Sequence, residues 1–205
     1  MQLTAPSGRV LTAVVSAAAL FAGNAAAVAT PVRTNADATT ASHGPYARLR
    51  PLADLSARRL ATADLVAAAK YGTGGPIDAP AREKQVLDAV ARAAREAGGD
   101  PQATVRIFRD QIEANKAVQR GLFRRWDVDP SSVPRERPDL AEVREEINRI
   151  NGELVRDIAA SAAARTAPYC GGVLTAATVH VRHTDRLDAL HTRALARALR
   201  SVCAA

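Results

Sequence analysis

The chain has 205 residues and a formal net charge of +7, from 28 Lys and Arg against 21 Asp and Glu, with only two cysteines. A basic balance invites nucleic acid or anionic lipid as partner. Against that, the arginines are interleaved with Asp and Glu, and three Phe, three Tyr and one Trp leave few side chains for stacking on bases. The cysteine count excludes a disulfide-dense scaffold, and the length is enough for one domain with a sizeable core.

Residues 1–29 read as an export signal. Arg9 is their only charge, an apolar run extends from Val10 to Ala22, and Ala27-Val28-Ala29 suits signal peptidase. The apolar run is short for a membrane span, and no cysteine stands at the boundary to take a lipid, so cleavage and no lasting membrane contact are expected. Without Arg9 the remaining chain carries +6. Export in turn leads us to expect Cys170 and Cys203 to pair. Residues 30–47 lack apolar periodicity and read as a flexible leader.

From residue 48 onward the pattern is helical. The first helix is expected from Arg48 to Tyr71, with Leu52, Leu55, Ala63, Val66 and Ala69 inward, ending at Gly72-Thr73-Gly74-Gly75-Pro76. Arg59 and Lys70 lie on the same face as Leu55, Ala63 and Val66, which suggests a basic interior rather than two snorkelling surface cations. A second helix is expected from Pro80 to Ala97, with Arg82 and Glu83 at the margin of its buried face. The third is the clearest. Asp100 serves as N-cap, Pro101 fits the first turn, and Val105, Phe108, Ile112, Leu122 and Trp126 form an apolar stripe to the end of the helix.

Two positions of that stripe hold amides, Asn115 and Gln119, one turn apart on one face. A buried amide without a partner costs about 1–3 kcal/mol. The pair therefore implies either helices cross-linked by amide hydrogen bonds or a polar pocket inside a bundle. A proline-rich connection from Asp127 to Pro138 leads to a helix from Asp139, with Leu140, Val143, Ile147, Ile150, Leu154 and Ile158 inward and Arg144 at the stripe's edge. The remainder, after Pro168, reads as helical to the C-terminus. His180, His183 and His191 have no acidic or cysteine partner at ligand spacing, so no metal site is expected. Phosphate-loop, dinucleotide and nucleophile-elbow motifs are absent from the sequence. The expected architecture is a single all-α bundle whose interior cations and amides suit a small anion. The rival reading is an exported helical interaction protein whose basic face meets an acidic partner or a lipid surface.

The order Arg58-Arg59-Leu60, Val66 to Tyr71, Pro76-Ile77, Arg82-Glu83 and Ile107 to Ile112 with Asn115 and Gln119 resembles the helical chorismate mutases. The leader, the proline-rich segment and the late Cys170/Cys203 pair resemble their exported, gamma-type subclass. The resemblance spans about Leu52 to Cys203. It implies chorismate as substrate, prephenate as product, no cofactor and a homodimer with a complete site in each protomer. It also implies roles. Arg59 and Arg82 clamp carboxylates and are expected to meet ligand rather than protein, with Arg144 as a further cation. Lys70 and Gln119 donate to the ether oxygen, Glu83 holds the ring hydroxyl, and Asn115 stands near a carboxylate where relatives use a small hydroxyl residue. One departure is Ala79, where relatives commonly carry an acidic residue; Asp78 stands beside it.

Overall fold

The computed structural model describes residues 44–203, so the export signal at 1–29 and most of the leader lie outside the described residues. Helix α1 (Pro45–Lys70) begins three residues ahead of the expected start, because Pro45 at its first position has no N–H to leave unpaired and presets the backbone. Its Leu49, Leu52, Leu60 and Ala63 are buried. Among the described helices it packs against the most partners, which makes it the axis of the bundle.

Helix α2 (Pro80–Glu96) ends in a Schellman turn. Gly98 takes φ 70°, Gly98 N donates to the Arg95 carbonyl, and Gly99 N donates to the Ala94 carbonyl at 2.8 Å. Helix α3 (Pro101–Val128) is capped by Asp100, whose carboxylate accepts from Gln102 N at 2.8 Å. It passes through Gly121 without a break because Leu190 of the C-terminal helix packs where a side chain would stand; a Cβ there would lie 2.7 Å from the Leu190 methyls. Its core stripe is Ile107, Phe108, Ala114, Val118, Leu122 and Trp126. Val105 is rotated to the margin, and Ile112 turns to a cavity rather than to the core.

A single 3-10 turn at Pro130–Ser132 precedes α4 (Leu140–Ala160), capped by Asp139 through Ala141 N at 2.6 Å. The last part is not one helix. The short α5 (Ala162–Arg165) is followed by α6 (Cys170–Thr184) and α7 (Ala189–Ala198), with a reversal at Arg186, whose φ is 51°. Two links hold this end. Cys170 and Cys203 are disulfide-bonded, which by loop-closure entropy is worth about 3–4 kcal/mol. The buried Arg165 donates to the carbonyls of Val202 at 2.9 Å and Ile158 at 3.2 Å. No strand occurs among the described residues, and no described helix is long and apolar enough to cross a membrane.

His191 ties α7 to α1. Its ring nitrogens lie 2.7 Å from the Asp188 carboxylate and 3.0 Å from Asp64. The hydrogen bond to Asp64, and then that to Asp188, outweigh burial and raise its pKa to about 9. The unfolded chain releases that proton near ~6.5. The contribution to stability is therefore complete below ~6.5 and disappears as pH rises through 9. We predict a melting temperature that falls across this interval, and a His191→Gln protein in which the fall is largely absent. Parallel alkaline losses in the two proteins would show that the staple contributes nothing.

Candidate active site

A cavity of ≈ 170 Å³ opens between α1, α2, α3 and α4. Helix α1 contributes Arg59, Val66 and Lys70, and α2 contributes Arg82, Glu83 and Val86. Asn115 and Gln119 come from α3, and Leu140, Arg144 and Ile147 from α4. Leu140 and Ile147, expected in the core, thus form part of the cavity wall. All seven side chains assigned to ligand binding from the sequence border this one space.

Arg59 is the deepest cation, 5 % exposed. Its Nε donates to Asn151 Oδ1 at 2.8 Å and its Nη1 to the Gln111 carbonyl at 3.1 Å, while the Phe108 ring centroid lies 5.9 Å from Cζ. The expectation that its partners would be ligand rather than protein is therefore corrected: part of the fork is anchored by α3 and α4, because a buried guanidinium must satisfy its donors. None of the described carboxylates is paired with it. Burial alone pushes its pKa down to about 10, so it is still a cation at neutral pH.

Lys70 Nζ donates to the Pro76 carbonyl at 2.8 Å. Burial first, and then the nearby Arg144, lower its pKa from the ordinary lysine value, with Asp78 and Glu83 partly offsetting them. Arg82 and Arg144 are exposed at the rim, and Arg82 reaches Gln85 Oε1 only at 3.3 Å. On the α3 wall, Gln119 Nε2 donates to Asn115 Oδ1 at 2.7 Å, and Asn115 Nδ2 reaches the Arg59 carbonyl at 3.5 Å. Gln119 Oε1 is enclosed with no hydrogen-bond partner among the described residues.

The carboxylates are already engaged. Glu83 accepts from Ala79 N, the N-cap of α2, at 3.2 Å, and both its oxygens lie 3.2 Å from Lys116 Nζ. Burial would lower the Lys116 pKa, but Glu113, Glu83 and Asp78 together raise it. Asp78, which stands beside Ala79, is held by α3. It accepts from Arg120 at 2.6 and 2.7 Å, outside the cavity lining.

Three residues that build the site escaped the sequence reading. Lys116 follows Asn115 and looks like an ordinary helix-surface lysine, yet it is only 8 % exposed. Gln111 is 1 % exposed; its Nε2 donates to Ser56 Oγ at 2.6 Å and to the Ala198 carbonyl at 3.2 Å, tying α1, α3 and α7. Asn151 follows Ile150 in the α4 stripe, and the reasoning applied to Asn115 would have flagged it. The arrangement can hold a compact dianion, with buried and rim cations for its carboxylates and neutral donors along one wall.

Comparisons with known proteins agree with that chemistry. The family described as chorismate mutase type II matches residues 50–120. A secreted chorismate mutase of Mycolicibacterium smegmatis is 38% identical over 178 residues, covering 87% of this chain and 94% of the relative. A secreted chorismate mutase of Mycobacterium tuberculosis is 35% identical over 158 residues, 77% of this chain and 79% of the relative. The crystal structure of chorismate mutase from Burkholderia phymatum superposes with a TM-score of 0.74 at 33% identity, covering 78% of this chain and 99% of that one.

A buried cation without a counter-ion destabilises the empty protein and binds an anion in compensation. We predict that a small dicarboxylate raises the melting temperature, by the equivalent of about 2.7 kcal/mol at one hundred times its Kd. Arg59→Met should remove this response in a folded protein, and Arg58→Met, whose arginine pairs with Glu153 on the surface at 3.2 Å, should retain it. Equal loss in both variants would place the anion elsewhere.

Proposed function

This chain belongs to the chorismate mutase family and isomerises chorismate to prephenate, and we propose that Arg59 and Arg82 clamp the substrate carboxylates while Lys70 and Gln119 donate to its ether oxygen. Chorismate rearranges within one molecule. A C–C bond forms as the ether C–O bond breaks, with no external nucleophile. The catalyst must hold the compact diaxial conformer and stabilise the negative charge that grows on the ether oxygen. The observation that supports this assignment best is Arg59: a buried guanidinium, held by Asn151 and the Gln111 carbonyl, with no carboxylate of the described chain paired to it. Arg144 adds a rim cation, and Asn115 lines the wall beside Gln119.

Glu83 serves the ring hydroxyl. Its pairing with Lys116 keeps it from neutralising Lys70 and leaves lone pairs able to accept a hydrogen bond from a hydroxyl. The rival reading, a basic face for an acidic partner or lipid, gains no support, since Arg59 and Lys70 border an interior cavity rather than a continuous surface.

The protein is exported, in keeping with its secreted relatives and with the disulfide. We propose that residues 1–29 are the signal removed on the way and that two protomers associate, each with its own site, a reading supported by the seven ligand-binding residues bordering one cavity within one chain. Light scattering of the purified chain should return twice the protomer mass; a single protomer mass at assay concentration would refute the association.

Loss of chorismate absorbance on adding oxidised protein tests the activity, and its pH dependence tests the residues. The Gln119 amide donates at every pH, so kcat/KM should be flat from mildly acidic to mildly alkaline conditions. Lys70 must be charged, and its lowered pKa places the alkaline fall of kcat/KM below the ordinary lysine range. A bound dianion holds the lysine proton more tightly, so the fall in kcat should come at higher pH. Gln119→Leu should lower turnover at all pH values, by about 2.7–4 kcal/mol of barrier. Near-wild-type turnover in that variant would remove Gln119 from the mechanism.

A further inference from the structure

We propose that Asn115 is a positioning residue that sets which end of the Gln119 amide the substrate meets, rather than a contact to a substrate carboxylate. The inference rests on the donor role proposed for Gln119. The two ends of a carboxamide have nearly the same shape and opposite function, and only the nitrogen can donate to an ether oxygen. Something must therefore choose the orientation.

One short hydrogen bond, with a longer polar contact behind it, favours one direction. The Arg59 backbone carbonyl can only accept. Asn115 Nδ2 turns toward it at 3.5 Å, which leaves Asn115 Oδ1 facing the next turn of α3. That oxygen accepts from Gln119 Nε2 at 2.7 Å, and the second Nε2 hydrogen remains for the ligand. Gln119 lines the cavity and is only 4 % exposed.

The orientation runs against the local interest of Gln119, whose Oε1 is enclosed without any donor among the described residues. An unsatisfied buried acceptor favours turning the amide, and the short bond to Asn115 opposes it. A hydroxyl residue at position 115 could accept from Nε2 or donate to Oε1 and would make no such choice. An asparagine whose own amide is referenced to a helix carbonyl does.

The test separates action through Gln119 from direct contact with substrate. Asn115→Leu removes the acceptor at similar size; kcat should fall about tenfold as the unproductive orientation takes over, with KM within about threefold. Asn115→Asp, ionised at neutral pH, keeps an acceptor; kcat should stay within about threefold while KM rises, because the new charge repels a dianion. In a Gln119→Glu background, assayed at acid pH, the two carboxyl oxygens are interchangeable, and Asn115→Leu should change kcat by less than about twofold. Comparing the two backgrounds cancels any packing loss they share, and Asn115→Ala reads the same quantity if leucine overfills the wall. A raised KM at unchanged kcat in Asn115→Leu would show that Asn115 meets the substrate itself. Equal kcat losses in the two backgrounds would likewise overturn the proposal. Failure of the Gln119 reading is distinct, since it appears as an active Gln119→Leu enzyme whatever residue 115 is.

Discussion

The rest of the site depends on one buried guanidinium. Moving an unpaired cation into a protein interior costs several kcal/mol after relaxation, and the fold can bear it only where neutral acceptors take part of the donor set. Arg59 has Asn151 Oδ1, the Gln111 carbonyl and the face of Phe108. These come from α4 and α3, the two helices that flank α1 on the cavity side. A protein carboxylate in their place would have made the empty site more stable and would have competed with the substrate. Neutral anchoring orients the fork and leaves its charge available.

The acids near the cavity follow the same logic in reverse. Glu83 and Asp78 both raise the pKa of Lys70, and a closer approach would quench the charge that the proposed mechanism needs. Lys116 and Arg120 draw them toward α3. Lys116 thereby acts at a distance, keeping the opposite charges of Glu83 and Asp78 occupied. The loop from Tyr71 to Ala79 is held by the same contacts. Asp78 is fixed to α3, the Pro76 carbonyl accepts from Lys70, and the Tyr71 ring packs edge-on against Phe123 and Trp126 at 5.2 and 5.1 Å. Loop conformation and lysine position are thus one structural unit.

Helices α5 to α7 contribute no side chain to the cavity lining, yet they support the wall that does. Helix α7 packs on α3 across Gly121, and the Ala198 carbonyl accepts from Gln111 one turn before Asn115. The disulfide, Arg165 and the His191 staple hold α6 and α7 in place. Loosening that end would be felt first through Gln111, whose carbonyl also holds Arg59.

Helix periodicity and capping chemistry are local, so the sequence alone determined the all-α class, the N-cap at Asp100, and the faces of Arg59, Lys70, Asn115 and Gln119. The order of those residues carried the resemblance to the chorismate mutases. What it could not reveal were relations between helices. The pairing of Arg59 with Asn151 spans 92 positions, and that of Lys116 with Glu83 spans 33. Neither leaves a periodic trace, because a side chain's partner is set by how two helices cross. The same reason explains why Ile147 and Leu140 were read as core: an apolar stripe says that a face is buried, while only the packing of α4 against α1 and α2 decides whether that face meets side chains or a cavity. The direction of the Gln119 amide belongs to the tertiary structure as well, since it depends on a carbonyl of another helix.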